Sequence, residues 1–212
     1  MKVSIYTGKG ASLAKDVMTA LRKLNIPFQK VNEKDIFQDK LGNFSIFIVP
    51  GGWPEKYVYS LITKGYDKIR KFVKNGGKYI GICAGAYLAS KKFRTDNGIF
   101  IGLELINPTA EMEIKKVLPG RMREIKLSKH MLSNGCPHKM KIWYMNGPVF
   151  KANKKIRVIA KYENNNTAIV SSKHGKGDVI LFSPHPEGNS ESKINPKKYG
   201  TIKLLKNALV QL

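Results

Sequence analysis

Hydrophobic and polar positions follow two rhythms along this chain. In the first half, short apolar runs alternate with stretches whose apolar residues recur at helical spacing. Residues 2–8, "KVSIYTG", read as a strand ending in a glycine turn, and Leu13, Val17, Leu21 and Leu24 then share one helical face behind Ser12, a candidate N-cap. Residues 44–52, "FSIFIVPGG", form a β-branched apolar run stopped by Pro50-Gly51-Gly52, the pattern of a strand buried on both faces. Val58, Leu61, Ile62, Ile69, Phe72 and Val73 predict one helix closed by Asn75-Gly76-Gly77, after which "KYIGI", residues 78–82, opens another strand. Strands separated by helices imply a parallel sheet covered on both faces.

From about residue 99 the rhythm shortens to that of strands: 99–105, 123–128, 141–145, 156–162, 167–172 and 178–183. Turn residues divide them, including Asn97-Gly98, Asn134-Gly135 and Asn164-Asn165-Asn166. A last helix, 199–212, is expected to point Ile202, Leu205 and Leu209 inward. No repeat, low-complexity linker or boundary interrupts the pattern. The expectation is therefore a single domain over residues 1–212, an α/β fold with a mostly parallel central sheet and a β-rich insertion that rejoins that sheet at 178–183.

Composition narrows the setting. A chain of 212 residues with 42% hydrophobic content can bury a real core. Its 38 Lys+Arg against 15 Asp+Glu give a net charge of +23, a field that attracts phosphates and anionic surfaces. The lysines are scattered rather than gathered into one run, which favours a solvated basic surface over a nucleic-acid footprint. Two cysteines are too few for a disulfide framework, "MKVSIYTGKG" lacks the apolar core of a secretory signal, and apolar runs such as Ile46–Pro50 are far too short to span a membrane. A cytoplasmic chain with reduced thiols is expected, with no membrane partner.

Why one of two cysteines sits in "KYIGICAGAYLAS", residues 78–90, is a question of chemistry. A buried strand that turns sharply into a helix displays the side chain at the corner, and small neighbours such as Gly81 and Gly85 keep other atoms away from it. A helix starting behind a cysteine favours its thiolate, and the Ala84 amide would face the place where a carbonyl becomes an oxyanion. The competing account is a small buried cysteine. Downstream, "FSPHPEG" holds His185 between two prolines with Glu187 two residues on, an arrangement able to supply a general base and its orienting acid. The glycines of Pro50-Gly51-Gly52 let backbone approach a ligand and can present a second oxyanion donor.

Pro-Gly-Gly, Gly-Ile-Cys-Ala-Gly-Ala and His-Pro-Glu, in that order at strand ends, resemble the class I glutamine amidotransferase-like superfamily. With "YMNGP" and "ILFSPHPEG", residues 144–148 and 180–188, the chain looks most similar to the family of the biotin–protein ligase N-terminal domain, along essentially its whole length. The resemblance implies a flavodoxin-like three-layer α/β/α sandwich. It also implies a Cys83 nucleophile, a His185 base, a Glu187 orienting acid, and oxyanion donors at Gly52 and Ala84 beside Gly51. Tyr87 stands where glutamine amidotransferases carry Gln, four residues past the nucleophile, which counts against glutamine as substrate. "PGRMRE", 119–124, only faintly resembles the adenylate loop of biotin ligases, so a free-standing relative of the accessory domain is expected.

Other residues carry weaker signals. Asn146-Gly147-Pro148 could bring Tyr144 or Asn146 to the pocket rim or be a plain turn, and Trp53 could wall the pocket or cap the core. "GKGAS", 8–12, meets neither Rossmann nor Walker spacing, and Cys136-Pro137-His138 lacks a second pair at zinc spacing, so neither a cofactor nor a metal is expected. His130 and His174 have no evident partners. The expected activity is cysteine-dependent hydrolysis or amide transfer on a small-molecule amide or related carbonyl; a partner protein could take part. The alternative is a non-catalytic domain that keeps the same residues to bind a ligand or partner.

Overall fold

The computed structural model describes residues 1–62, 64–106, 119–151 and 155–210, together with the backbone of 110–112. The first half builds β1 (Val3–Tyr6), α1 (Ala14–Lys23), β2 (Phe28–Val31), α2 (Glu33–Phe37), β3 (Ile46–Val49), α3 (Pro54–Leu61), α4 (Gly65–Lys74), β4 (Lys78–Ile82) and α5 (Ala84–Ala89). The second half adds β5 (Lys92–Thr95), β6 (Gly98–Ile101), β7 (Ala110–Met112), β8 (Arg121–Leu127), β9 (Lys139–Tyr144), β10 (Pro148–Phe150), β11 (Arg157–Tyr162), β12 (Thr167–His174) and β13 (Gly177–Phe182), before α6 (Thr201–Val210).

Nine strands form one sheet in the order β2-β1-β3-β4-β13-β12-β11-β8-β9. From β2 to β13 neighbours run parallel, and from β13 to β9 they run antiparallel. Strands β10, β7, β5 and β6 form a second, smaller sheet. The result is the flavodoxin-like three-layer arrangement with added strands.

The apolar runs explain the layers. Along β3, side chains alternate between faces, so Phe47 and Val49 join one buried cluster while Ile46 and Ile48 join the other. Tyr57, Leu61, Ile69, Val73 and Leu88 of α3, α4 and α5 cover the first face. Val17 and Leu21 of α1, with Leu204 and Leu205 of α6, cover the second. Each such side chain contributes roughly 1.5–3 kcal/mol through burial.

Parallel pairing also fixes where the loops meet. Val49 lies beside Gly81, and Ile82 beside Phe182. The segments after β3, β4 and β13 therefore leave the sheet at one edge. Those segments are Pro50–Gly52, Cys83–Gly85 and Ser183–Glu187.

The structure corrects several expected elements. The helix expected across Val58–Val73 is two helices; Gly65 lets α4 approach Leu61, whose Cδ2 lies 2.9 Å from where a Cβ would be. Ile62 consequently faces solvent. Ser12 caps nothing by its side chain: α1 begins at Ala14, after the Leu13 amide has bonded Gly51 O. The run 99–105 is a strand only through Ile101. In α6 the buried residues include Leu204, Leu205, Ala208 and Leu209, with Ile202 only half-buried, and 211–212 lie outside the described residues.

Candidate active site

Cys83 stands at the corner between β4 and α5 with φ 49° and ψ −104°. A non-glycine residue with this backbone stores of order 1–3 kcal/mol and persists only where its surroundings hold it. They do so here. Its amide donates to Phe182 O at 2.8 Å, and the Gly85 amide donates to Pro50 O at 3.2 Å. A Cβ on Gly85 would fall 2.0 Å from Val49 O, and one on Gly81 2.6 Å from Gly85 O. The small residues expected around Cys83 are thus demanded by its packing. The Gly52 and Ala84 amides donate to no described group, which leaves two backbone N–H groups at this corner available.

His185 reaches the same corner from β13. Its amide donates to Trp143 O at 2.8 Å, and Thr201 Oγ1 at the start of α6 donates to Pro186 O at 3.0 Å, so the proline-flanked segment is fixed on both sides. Gly51 is the hinge of the encounter: a Cβ there would lie 2.9 Å from His185 Cε1 and 3.5 Å from Cys83 Cβ. Imidazole, glycine and cysteine are therefore packed together. His185 Nδ1 lies 2.8 Å from Glu187 Oε1, with neither side chain exposed.

Electrostatics follow from this enclosure. Burial alone disfavours the imidazolium, but the Glu187 carboxylate and then the Cys83 sulfur outweigh it and raise the His185 pKa above its ordinary value. Burial raises the Glu187 pKa as well, against the pull of His185 and with a smaller push from Asp16. Among the described residues, buried Glu187 Oε2 has no hydrogen-bond partner, and His185 Nε2 has none beyond the neighbouring Cys83 sulfur. Orphaned buried groups of this kind cost about 1–3 kcal/mol each, and they concentrate where chemistry or a ligand needs them.

A turn closes over the sulfur. Three successive carbonyls, those of Met145, Asn146 and Gly147, accept from Cys83 Sγ at 3.4 Å, Tyr87 Oη at 3.0 Å and Tyr144 Oη at 3.0 Å. Asn146 adopts φ 55°, and a Cβ on Gly147 would meet Ser183 O at 1.9 Å. Tyr87 and Asn146 thus both belong to the neighbourhood of Cys83. No sequence signal announced Met145, whose contribution is a backbone oxygen.

Tyr144 adjoins this turn through its hydroxyl, and the other candidates fall elsewhere. Trp53 is 54% exposed and caps no core. Tyr144 is buried, and Arg123 of "PGRMRE" lies 3.8 Å from the centre of the Tyr162 ring and pairs with Glu163 at 3.0 Å, so that segment is packed strand rather than a loop over a ligand. In "GKGAS" the Lys9 amide donates to Glu33 Oε1 at 2.6 Å, so a carboxylate of the chain itself occupies the place a phosphate would need. His130 has a partner after all, its Nδ1 accepting from the Leu132 amide at 3.1 Å. Among the described residues no cluster of His, Cys, Asp and Glu could hold a metal, and no helix is long and apolar enough to cross a membrane.

The three-layer sheet with this corner at its strand ends defines the class I glutamine amidotransferase-like fold. The family described as biotin–protein ligase, N terminal, matches residues 1–101 and 118–211, and the chain belongs to it. The biotin–protein ligase of Schizosaccharomyces pombe is 27% identical over 90% of this chain, which spans 34% of that protein's length. Among solved structures, a chain of PurLQS from Thermotoga maritima superposes with a TM-score of 0.76 at 18% identity, covering 98% of this chain and 97% of its own. A Thermoplasma acidophilum protein assigned as a GMP synthase component gives a TM-score of 0.69 at 14% identity, covering 99% and 92%. These last two establish a shared fold.

Proposed function

We propose that the protein is a cysteine-dependent hydrolase or amidotransferase acting on a small amide or related carbonyl, with Cys83 as nucleophile, His185 as base and Glu187 as the acid that orients it. One observation carries this reading: a strained cysteine at a helix-start corner packs against an imidazole whose far nitrogen is held by a buried carboxylate. In the reaction, the thiol proton passes to His185 Nε2 and the sulfur attacks the carbonyl carbon. The carbonyl oxygen becomes an oxyanion within reach of the Gly52 and Ala84 amides. His185 then gives its proton to the leaving nitrogen as the C–N bond breaks, and the amine departs from a thioester. Water, deprotonated by His185, attacks that thioester and restores the thiol.

The test is a comparison of wild type with Cys83→Ala against a panel of primary amides, with intact-mass detection of a thioester. Turnover and an acyl adduct in wild type only would support the proposal. Equal turnover in both would contradict it. A second reading, a ligand- or partner-binding domain that retains these residues, is favoured by one contact: the Cys83 thiol donates to Met145 O, which engages the sulfur in the resting site. Saturable amide binding without turnover or adduct would select it.

A further inference from the structure

Cys83 is 6% exposed and Tyr87 3%, while Met145 and Asn146 above them are half-buried. The turn is therefore the outer cover of the sulfur. What fastens it is a bridge between parts of the chain 59 residues apart, the hydrogen bond from Tyr87 Oη to Asn146 O. Cys83 Sγ and Tyr87 Oη grip adjacent peptide carbonyls, and successive residues are only about 3.8 Å apart, so the phenol ring forms the wall beside the sulfur. That ring cannot swing away freely, because it also packs on Phe93 at a centroid distance of 5.7 Å. Its proximity to the sulfur also registers electrostatically: after burial, the nearby Cys83 is the next cause holding the phenol well above its ordinary pKa.

We infer that Tyr87 is a specificity-determining residue that bolts the Met145–Gly147 turn over Cys83 and restricts the site to compact carbonyl compounds without a long side chain. This rests on the nucleophile reading above. A larger acyl group would have to displace either the ring or the turn, and Tyr144 Oη holds the turn from its other end. Losing the Tyr87 hydroxyl frees one end of the cover. Losing the ring also opens the space beneath it.

Thiol alkylation of the full chain measures this directly. Rates at Cys83 are followed by peptide mass spectrometry with iodoacetamide and with a fluorescein-bearing iodoacetamide, taking Cys136 as internal reference. Wild type is expected to take the small reagent and strongly exclude the bulky one. Tyr87→Ala should lower that small-to-bulky ratio about tenfold or more. Tyr87→Phe should speed iodoacetamide labelling with a smaller change in ratio, and Cys136 should be unmoved in both. If Tyr87→Ala does not fold, unchanged Cys83 labelling in Tyr87→Phe overturns the inference by itself. Equal ratios in wild type and Tyr87→Ala, with Cys83 still alkylated, also overturn it. Cys83 that resists both reagents in every variant overturns the nucleophile reading instead.

Discussion

Glu187 Oε1 sits 2.8 Å from His185 Nδ1, and neither side chain has any contact with water. A charged partner so placed both orients the ring and favours its protonated form. Replacing Glu187 by Gln keeps the shape and removes the charge. Turnover should fall by about 10²–10⁴-fold, the range a positioned acid–base group contributes. The limb of the pH–rate profile that reports His185 should move to lower pH, which kcat/KM measured across pH would show.

The same pair sets a pH dependence of stability. A group whose pKa is raised by folding binds its proton more tightly in the native state, and both His185 and Glu187 are raised. The His185 contribution is complete below its ordinary value of 6.5 and declines as pH rises towards the folded value. The Glu187 contribution declines in the same direction, starting from its ordinary value of 4.5. Thermal midpoints should therefore fall between about pH 6.5 and pH 9, below ordinary tyrosine titration. The double variant His185→Gln/Glu187→Gln should flatten that slope, and a wild-type midpoint that rises across the window would contradict the assignment.

Gly51 offers a steric test. An alanine methyl there would lie 2.9 Å from both His185 Cε1 and Leu13 Cδ1, so the ring has to shift. Gly51→Ala is expected to cost about 1–3 kcal/mol and to reduce activity by more than its stability loss explains. Gly42→Ala is the control, since none of the described residues lies within 4 Å of its new methyl. Its unfolding free energy from urea titration should stay within about 0.5 kcal/mol of wild type.

Lys78 tests how the last helix is attached. Its buried ammonium donates to Ala208 O at 3.1 Å and Leu209 O at 3.2 Å, two carbonyls in the last turn of α6, where positive charge is favoured. Burial lowers the Lys78 pKa, so the charge is held there at some expense. Lys78→Met should destabilise the protein by about 1–3 kcal/mol through the loss of its two hydrogen bonds. Limited proteolysis should then release the C-terminal segment first.

Much of this arrangement could be read from short local patterns. The apolar runs at 46–49, 78–82 and 178–182 gave the central strands, because strands buried on both faces carry near-continuous apolar residues. Glycine and proline punctuation after them located Gly51, Cys83 and His185. What escaped had no periodicity to display. Strand β2 is half-exposed, α2 spans five residues, and β7 and β10 three each. The contacts that shape the site are also remote in the chain: Tyr87 meets Asn146 across 59 residues, and Asp16 Oδ1 accepts from the Ser190 amide across 174. No local pattern encodes such pairings.

The central claim is that His185 makes Cys83 a nucleophile. The most direct test is the pH dependence of Cys83 alkylation by iodoacetamide, followed by peptide mass spectrometry in wild type and in His185→Gln. Cys136 serves as reference, because burial holds its thiol pKa above the ordinary value. The account predicts that wild-type Cys83 reacts faster than Cys136 near neutral pH and that His185→Gln abolishes this advantage. Cys83 labelling that is no faster than Cys136 in wild type, and unchanged in His185→Gln, would contradict it.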